Sequence, residues 1–150
     1  MALQATSLGS ALADRSGAIE VCRPWAWTSL KGATTGAAYV TIVNRGIDGD
    51  RLVTVKSTAA RRAQIHLHVM AANVMRHRIM ERIDVPSGQT VTFAPGGLHV
   101  MLIDLTAPLE IGTKFPLILK FEQAGSVAVD VVVQPFRSPG PDSGQCRSPS

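Results

Sequence analysis

From about Ala18 to Gln134 the chain alternates short apolar segments rich in Val, Ile, Leu and Thr with Gly- and Pro-bearing breaks. That spacing predicts an all-β sandwich. Strands are expected at Ala18–Cys22, Ala37–Asn44, Arg51–Lys56, Ala63–Met70, Asn73–Met80, Thr90–Phe93, Leu98–Leu105, Pro116–Glu122 and Val127–Gln134. Turns are expected at Asn44-Arg45-Gly46, Pro86-Ser87-Gly88, Pro95-Gly96-Gly97 and Ala124-Gly125. No stretch carries the apolar period of a long helix. Past Pro135 the composition turns to Ser, Pro, Gly and Arg, which bury too little apolar area to offset the entropy of ordering them. Three regions follow: an N-terminal segment 1–17, one sandwich domain 18–135, and a tail 136–150 expected to be disordered.

The same period-two pattern sorts the chemistry. In Ala63–Met70 the apolar Ile65, Leu67 and Val69 alternate with Gln64, His66, His68 and Met70, and a strand sends alternate side chains to opposite faces. One face is aliphatic and belongs to the core; the other carries imidazoles and a thioether. Leu98–Leu105 repeats the arrangement, with Leu98, Val100 and Leu102 on one side and His99 and Met101 on the other. Met75 and His77 share a face of the segment between. All four histidines and four of the five methionines fall between His66 and Met101. A single exposed His is usually only solvated and a single Met usually fills a core gap, but matched parity on three strands is not what isolated residues give. His66, His77, His99 and Met101 are therefore the expected metal ligands. His68, Met70 and Met75 are secondary candidates, His68 and Met70 as transient or supporting ones, and Met80, of opposite parity to His77, is assigned to packing.

Donor type narrows the metal. Thioether sulfur is soft and selects Cu(I), imidazole suits copper and zinc, and no carboxylate cluster accompanies them. Copper is the expected ion, with three nitrogens and one sulfur around it. A blue-copper electron-transfer centre would need a Cys thiolate, and neither Cys22 nor Cys146 lies near the donors in sequence. These two cysteines are read as separate thiols, with a bridge between them as the alternative. The net charge of +4 is dispersed and aromatic residues are only 5%, which argues against nucleic-acid binding. No apolar run approaches the roughly 20 residues of a membrane-spanning helix. Ala11-Leu12-Ala13 has the small-x-small form of a signal-peptidase site, but the segment before it lacks a basic start and enough leucine for a working signal, so segment 1–17 is either the remnant of a signal peptide that starts upstream or a coincidental match.

With these residues in place, the chain resembles the periplasmic copper chaperones that supply the copper-A centre of cytochrome c oxidase. Their signature is His, ten residues, Met, twenty-one residues, then His-x-Met; here His66, the ten residues Leu67–Arg76, His77, the twenty-one residues Arg78–Leu98 and His99-Val100-Met101 meet every spacing. Ala37-Ala38-Tyr39-Val40-Thr41-Ile42, Ile83-Asp84-Val85-Pro86-Ser87-Gly88, Pro95-Gly96-Gly97-Leu98 and Pro116-Leu117-Ile118-Leu119-Lys120-Phe121-Glu122 are similar to the family as well. The resemblance runs from about Ile19 to Val133. It implies a cupredoxin-like Greek-key sandwich, a periplasmic location, no enzymatic activity, and transfer of Cu(I) to a copper-accepting oxidase subunit or its assembly factor. A monomer is expected. His77 stands where the family has Met, so a site of two His and two Met becomes three His and one Met, which tolerates Cu(II) and zinc better. In an alternative register His68 takes the first ligand place, at the expense of shortening the following turn by two residues. Competing readings are a copper storage or resistance protein, and a sandwich-type adhesion or assembly module whose histidines are decoration. A copper enzyme of superoxide dismutase type would need more imidazoles than four.

Overall fold

The computed structural model describes residues 13–141 together with Cys146. Eleven strands make up the described chain: β1 (Ala13–Ser16), β2 (Ile19–Trp27), β3 (Thr35–Asn44), β4 (Asp50–Lys56), β5 (Ala60–Ala71), β6 (Val74–Met80), β7 (Ile83–Val85), β8 (Thr90–Thr92), β9 (Leu98–Leu105), β10 (Lys114–Phe121) and β11 (Gly125–Gln134). They run in the order β6-β5-β9-β3-β2-β11-β10-β4-β7, with β1 added to β2 and β8 to β3. Every pairing is antiparallel except β11 against β2, where Val132 meets Trp25 in parallel. Folded on itself, this path is the expected Greek-key sandwich in a single domain, and among the described residues there is no helix.

Alternation decides where the core lies. In β10 the residues Phe115, Leu117, Leu119 and Phe121 are buried while those between are exposed. Val131, Val129 and Val127 of β11 stand directly opposite the first three. Pro116 is tolerated because β4 begins to pair with β10 only at Ile118, so the missing N–H leaves no broken ladder on that side. Asp50 holds the turn of this hairpin: its Oδ1 accepts the Gln123 amide and its Oδ2 the Ala124 amide.

The nine expected strands are all present, with ends shifted by a few residues, and two short ones are additional. β1 pairs Ala13 with Cys22, so residues expected to precede the sandwich form an edge of it. Positions 11 and 12 of the small-x-small motif lie outside the described residues. β2 runs on to Trp27 instead of stopping at Cys22: the chain passes Arg23-Pro24 as a bulge, with Arg23 at φ +53°, and resumes pairing at Trp25.

Of the tail, residues 136–141 are described and pack on the sandwich. Phe136 packs edge-on against Trp27, Trp27 Nε1 donates to the Ser138 carbonyl at 2.7 Å, and Arg23 Nη2 donates to the Pro141 carbonyl at 2.6 Å. Gly140 lies so close over Trp25 that a Cβ there would sit 2.8 Å from the indole ring. Cys22 and Cys146 form a disulfide, 124 residues apart in sequence, which corrects the reading of two separate thiols. The segment's own composition gives little to bury, but the sandwich offers it two indoles and a covalent anchor. The remaining tail positions, 142–145 and 147–150, lie outside the described residues.

The core makes a direct stability prediction. Leu119 is fully buried and Ile118, beside it, is 38% exposed. Leu119→Ala should lower unfolding free energy by about 2–5 kcal/mol, and Ile118→Ala should cost much less. Urea denaturation of both variants checks this, and a larger loss at Ile118 than at Leu119 would mean the assigned strand faces are reversed.

Candidate metal centre

The site is built on β5, which is held between β6 on one side and β9 on the other. Register places His66 opposite His99 of β9, and His68 opposite His77 of β6. Gln64 stands opposite Met101. Because alternate residues share a face, Gln64, His66, His68 and Met70 of β5, Met75, His77 and Ile79 of β6, and His99 and Met101 of β9 all point to the same side. Ile65, on the other side of β5, is buried in the core. The β5–β6 hairpin closes through Ala72-Asn73, both at positive φ (+53° and +66°). This is the two-residue turn whose twist matches the flanking strands.

Within that face three imidazoles converge. One ring nitrogen from each of His68, His77 and His99 lies within 4.8 Å of the others. His68 and His77 stack with ring centroids 4.2 Å apart and turn their Nε2 atoms onto each other, and His68 and His99 are 4.7 Å apart. The three rings and Met101 line one pocket of about 320 Å3, walled by Trp27, Tyr39, Leu30 and Phe136. Of the residues expected as ligands, His77, His99 and Met101 are thus brought together. His66 is near, its ring 5.6 Å from His99 and 5.8 Å from His77, but its Nε2 is engaged by Gln64 Oε1 at 3.0 Å. The secondary candidate His68 lies within the three-imidazole cluster. Met70 and Met75 stand opposite each other nearer the hairpin turn. Met80, as expected, packs against the core.

The surroundings of His66, His68 and His99 disfavour their protonated form, and neutral imidazole is the state that binds metal. His99 is buried and its Nδ1 contacts the Gly97 carbonyl at 3.1 Å. A carbonyl only accepts, so Nδ1 carries the proton and the Nε2 lone pair is left for another partner. Burial pushes the His99 pKa down from its ordinary value, more than the Gly97 bond raises it, and His68, His66 and His77 push it down further. Burial followed by the charges of His77 and His68 lowers His66, and burial followed by His77 lowers His68. His66 Nδ1 and His68 Nδ1 are buried with no hydrogen-bond partner, two nitrogens whose bonding capacity the protein itself does not use.

The wall residues were not legible as part of the site. Trp27 and Tyr39 reach it because β2 continues past its bulge and β3 pairs β9 through Ala37 opposite Met101. Phe136 reaches it by the packing of the tail on Trp27. The one sequence signal is the Trp25-Ala26-Trp27 alternation, which continues the strand period beyond Pro24.

Comparison with known proteins agrees with this geometry. Residues 19–133 match the family described as "Putative lipoprotein LpqE-like". The chain belongs to the LpqE-like family. A relative from Leifsonia xyli subsp. xyli, named "Putative lipoprotein Lxx21020", is 34% identical over 113 residues, covering 74% of this chain and 68% of its own. Among solved structures, the apo PCuAC domain of PmoF2 superposes with a TM-score of 0.72 at 31% identity, covering 86% of this chain and 99% of that one. The copper-bound PCuAC domain of PmoF2 gives 0.71 at 33% identity, covering 82% and 97%. The resemblance to copper chaperones read from the sequence is therefore matched by the fold of this LpqE-like chain.

The lowered histidine pKa values predict a pH dependence. The unfolded chain holds these rings near pKa 6.5, so on acidification it takes up protons before the folded protein does. Their contribution to stability is then complete above about pH 6.5 and is lost as pH falls toward and through the lower folded values. The metal-free protein should show a Tm that declines below that point, and His99→Gln should flatten the decline whatever its absolute Tm. An unchanged slope in thermal melts across pH would contradict the assignment.

Proposed function

We propose that this protein is a copper carrier that binds one ion through His68, His77, His99 and Met101. The observation that carries the reading is the convergence of three imidazole nitrogens within 4.8 Å of one another in a pocket shared with a thioether. The donor set fits copper: imidazole suits it, and the thioether favours its reduced form. The likeness to a domain that has been solved with copper bound, at 33% identity, supports the same ion. With His77 as an imidazole, the site holds both Cu(I) and Cu(II), and Cu(I) is the form delivered because the soft Met101 arm exchanges it. The recipient is a copper-accepting oxidase subunit or its assembly factor, reached in the periplasm. A disulfide between Cys22 and Cys146 and a lipoprotein-named family both support export to an oxidising compartment.

Two adjacent histidines compete for one place. His68 is favoured because it already faces His77 and lines the pocket, whereas His66 must first release Gln64. Titration with Cu(I) should give one tight equivalent that His99→Ala or His68→Ala abolishes and His66→Ala only weakens. The reverse ranking of the His66 and His68 variants would give the place to His66, and unchanged binding in all three would remove the site. X-ray absorption at the copper edge should show three nitrogens and one sulfur. Transfer to the isolated copper-A domain of an oxidase subunit tests delivery, and no transfer to it would restrict the role to storage.

His77→Met exchanges a harder donor for a softer one. The variant should lose Cu(II) and zinc affinity by a larger factor than Cu(I) affinity. Equal changes for all three ions would show that His77 does not ligate.

A further inference from the structure

Beyond the pocket, β5 and β6 continue as a two-stranded ribbon toward the turn at Ala72-Asn73. β9 accompanies β5 only as far as Leu67, opposite Leu98. Past that point Val69–Ala71 have β6 as their paired strand, with Met70 directly opposite Met75. The Met70–Met75 pair lies two residues beyond the His68–His77 pair on the same face. Pairs two apart along an antiparallel ladder are of the same type, and the stacked rings of His68 and His77 show that this type brings side chains into contact here. Met70 and Met75 occupy the same kind of ladder position, about 7 Å further along the strands.

Packing does not explain these two methionines. Met70 is 62% exposed and Met75 54% exposed, while Met80 on the opposite face is partly buried against the core. A methionine usually fills apolar gaps; this pair stands in solvent beside three imidazoles. Neither residue lines the pocket that holds Met101. They form a separate donor pair at the open end of the same face.

We propose that Met70 and Met75 form a second, weaker Cu(I) site through which the ion enters and leaves the histidine centre. Two thioethers offer only soft donors, so the pair takes Cu(I) and rejects Cu(II) and zinc. No bond is made or broken other than metal–sulfur and metal–nitrogen coordination, and no electron moves. The ion held between Met70 and Met75 passes one rung inward to His68 and His77, where nitrogen ligands and Met101 bind it more firmly. Release runs the same route outward, which places the exchange step at the exposed ribbon and not in the aromatic-walled pocket. The inference rests on the copper reading of the histidine centre for its direction of transfer, but the methionine site itself does not depend on it.

The test uses the whole chain with Met70→Leu/Met75→Leu, a volume-conserving change at exposed positions. The stoichiometry and affinity of the histidine centre for Cu(I) should stay as in the wild type. Exchange of Cu(I) with a competing chelator should slow severalfold, while uptake of Cu(II) keeps its rate. Exchange of Cu(I) as fast as in the wild type overturns the relay. Separately, silver(I) is added as a redox-inert stand-in for Cu(I) to the His68→Ala/His77→Ala/His99→Ala variant, with the methionine methyl groups followed by NMR. Shifts confined to Met70 and Met75 are expected there, and no shift at either overturns the site. If that variant instead retains the tight copper equivalent of the wild type, the histidine reading fails while the methionine result stands on its own.

Discussion

The register of β5 between β6 and β9 is the constraint on which the rest depends. His66 opposite His99 and His68 opposite His77 put every donor on one side of the sheet, and Ile65 enters the core from the other. A slip of one residue would turn the imidazoles into the aliphatic interior and the aliphatic residues out to water. The buried face enforces the register, so core packing and metal chemistry are fixed by the same hydrogen-bond ladder.

Around that ladder the protein prepares neutral nitrogen donors in advance. The Gly97 carbonyl accepts from His99 Nδ1 and also from the His68 backbone amide, so a single oxygen orients one imidazole and holds the strand bearing another. Burial and the proximity of the rings to one another disfavour their protonation. The pocket is walled by Trp27, Tyr39 and Phe136, and the last of these is held by a segment whose far end is tied by the Cys22–Cys146 bridge.

In the proposed centre the imidazole of His77 is a harder donor than a thioether would be, and the two exposed methionines are soft ones further along the same face. A carrier needs firm holding and easy release. On the proposed reading the nitrogen-rich pocket would do the holding and the sulfur pair on the ribbon the releasing.

Much of this was written in the local pattern. Period-two alternation alone identified the nine main strands, the face that each donor shares, and the packing role of Met80, because side-chain direction in a strand depends only on parity. The choice between His66 and His68 could not be read that way, since both have the same parity. What separates them in the structure is which ring stands opposite each, a contact between strands that parity does not report, and the Gln64 Oε1 that engages His66 Nε2. The packing of residues 136–141 and the aromatic wall could not be read there, because both depend on surface that the sandwich provides only once β2 has crossed its bulge and brought Trp25 and Trp27 to meet the tail; the Cys22–Cys146 pairing stayed open because it joins positions 124 residues apart. Sequence therefore determined direction and donor chemistry, and tertiary structure decided proximity, because a strand's faces are a local property and its neighbours are not.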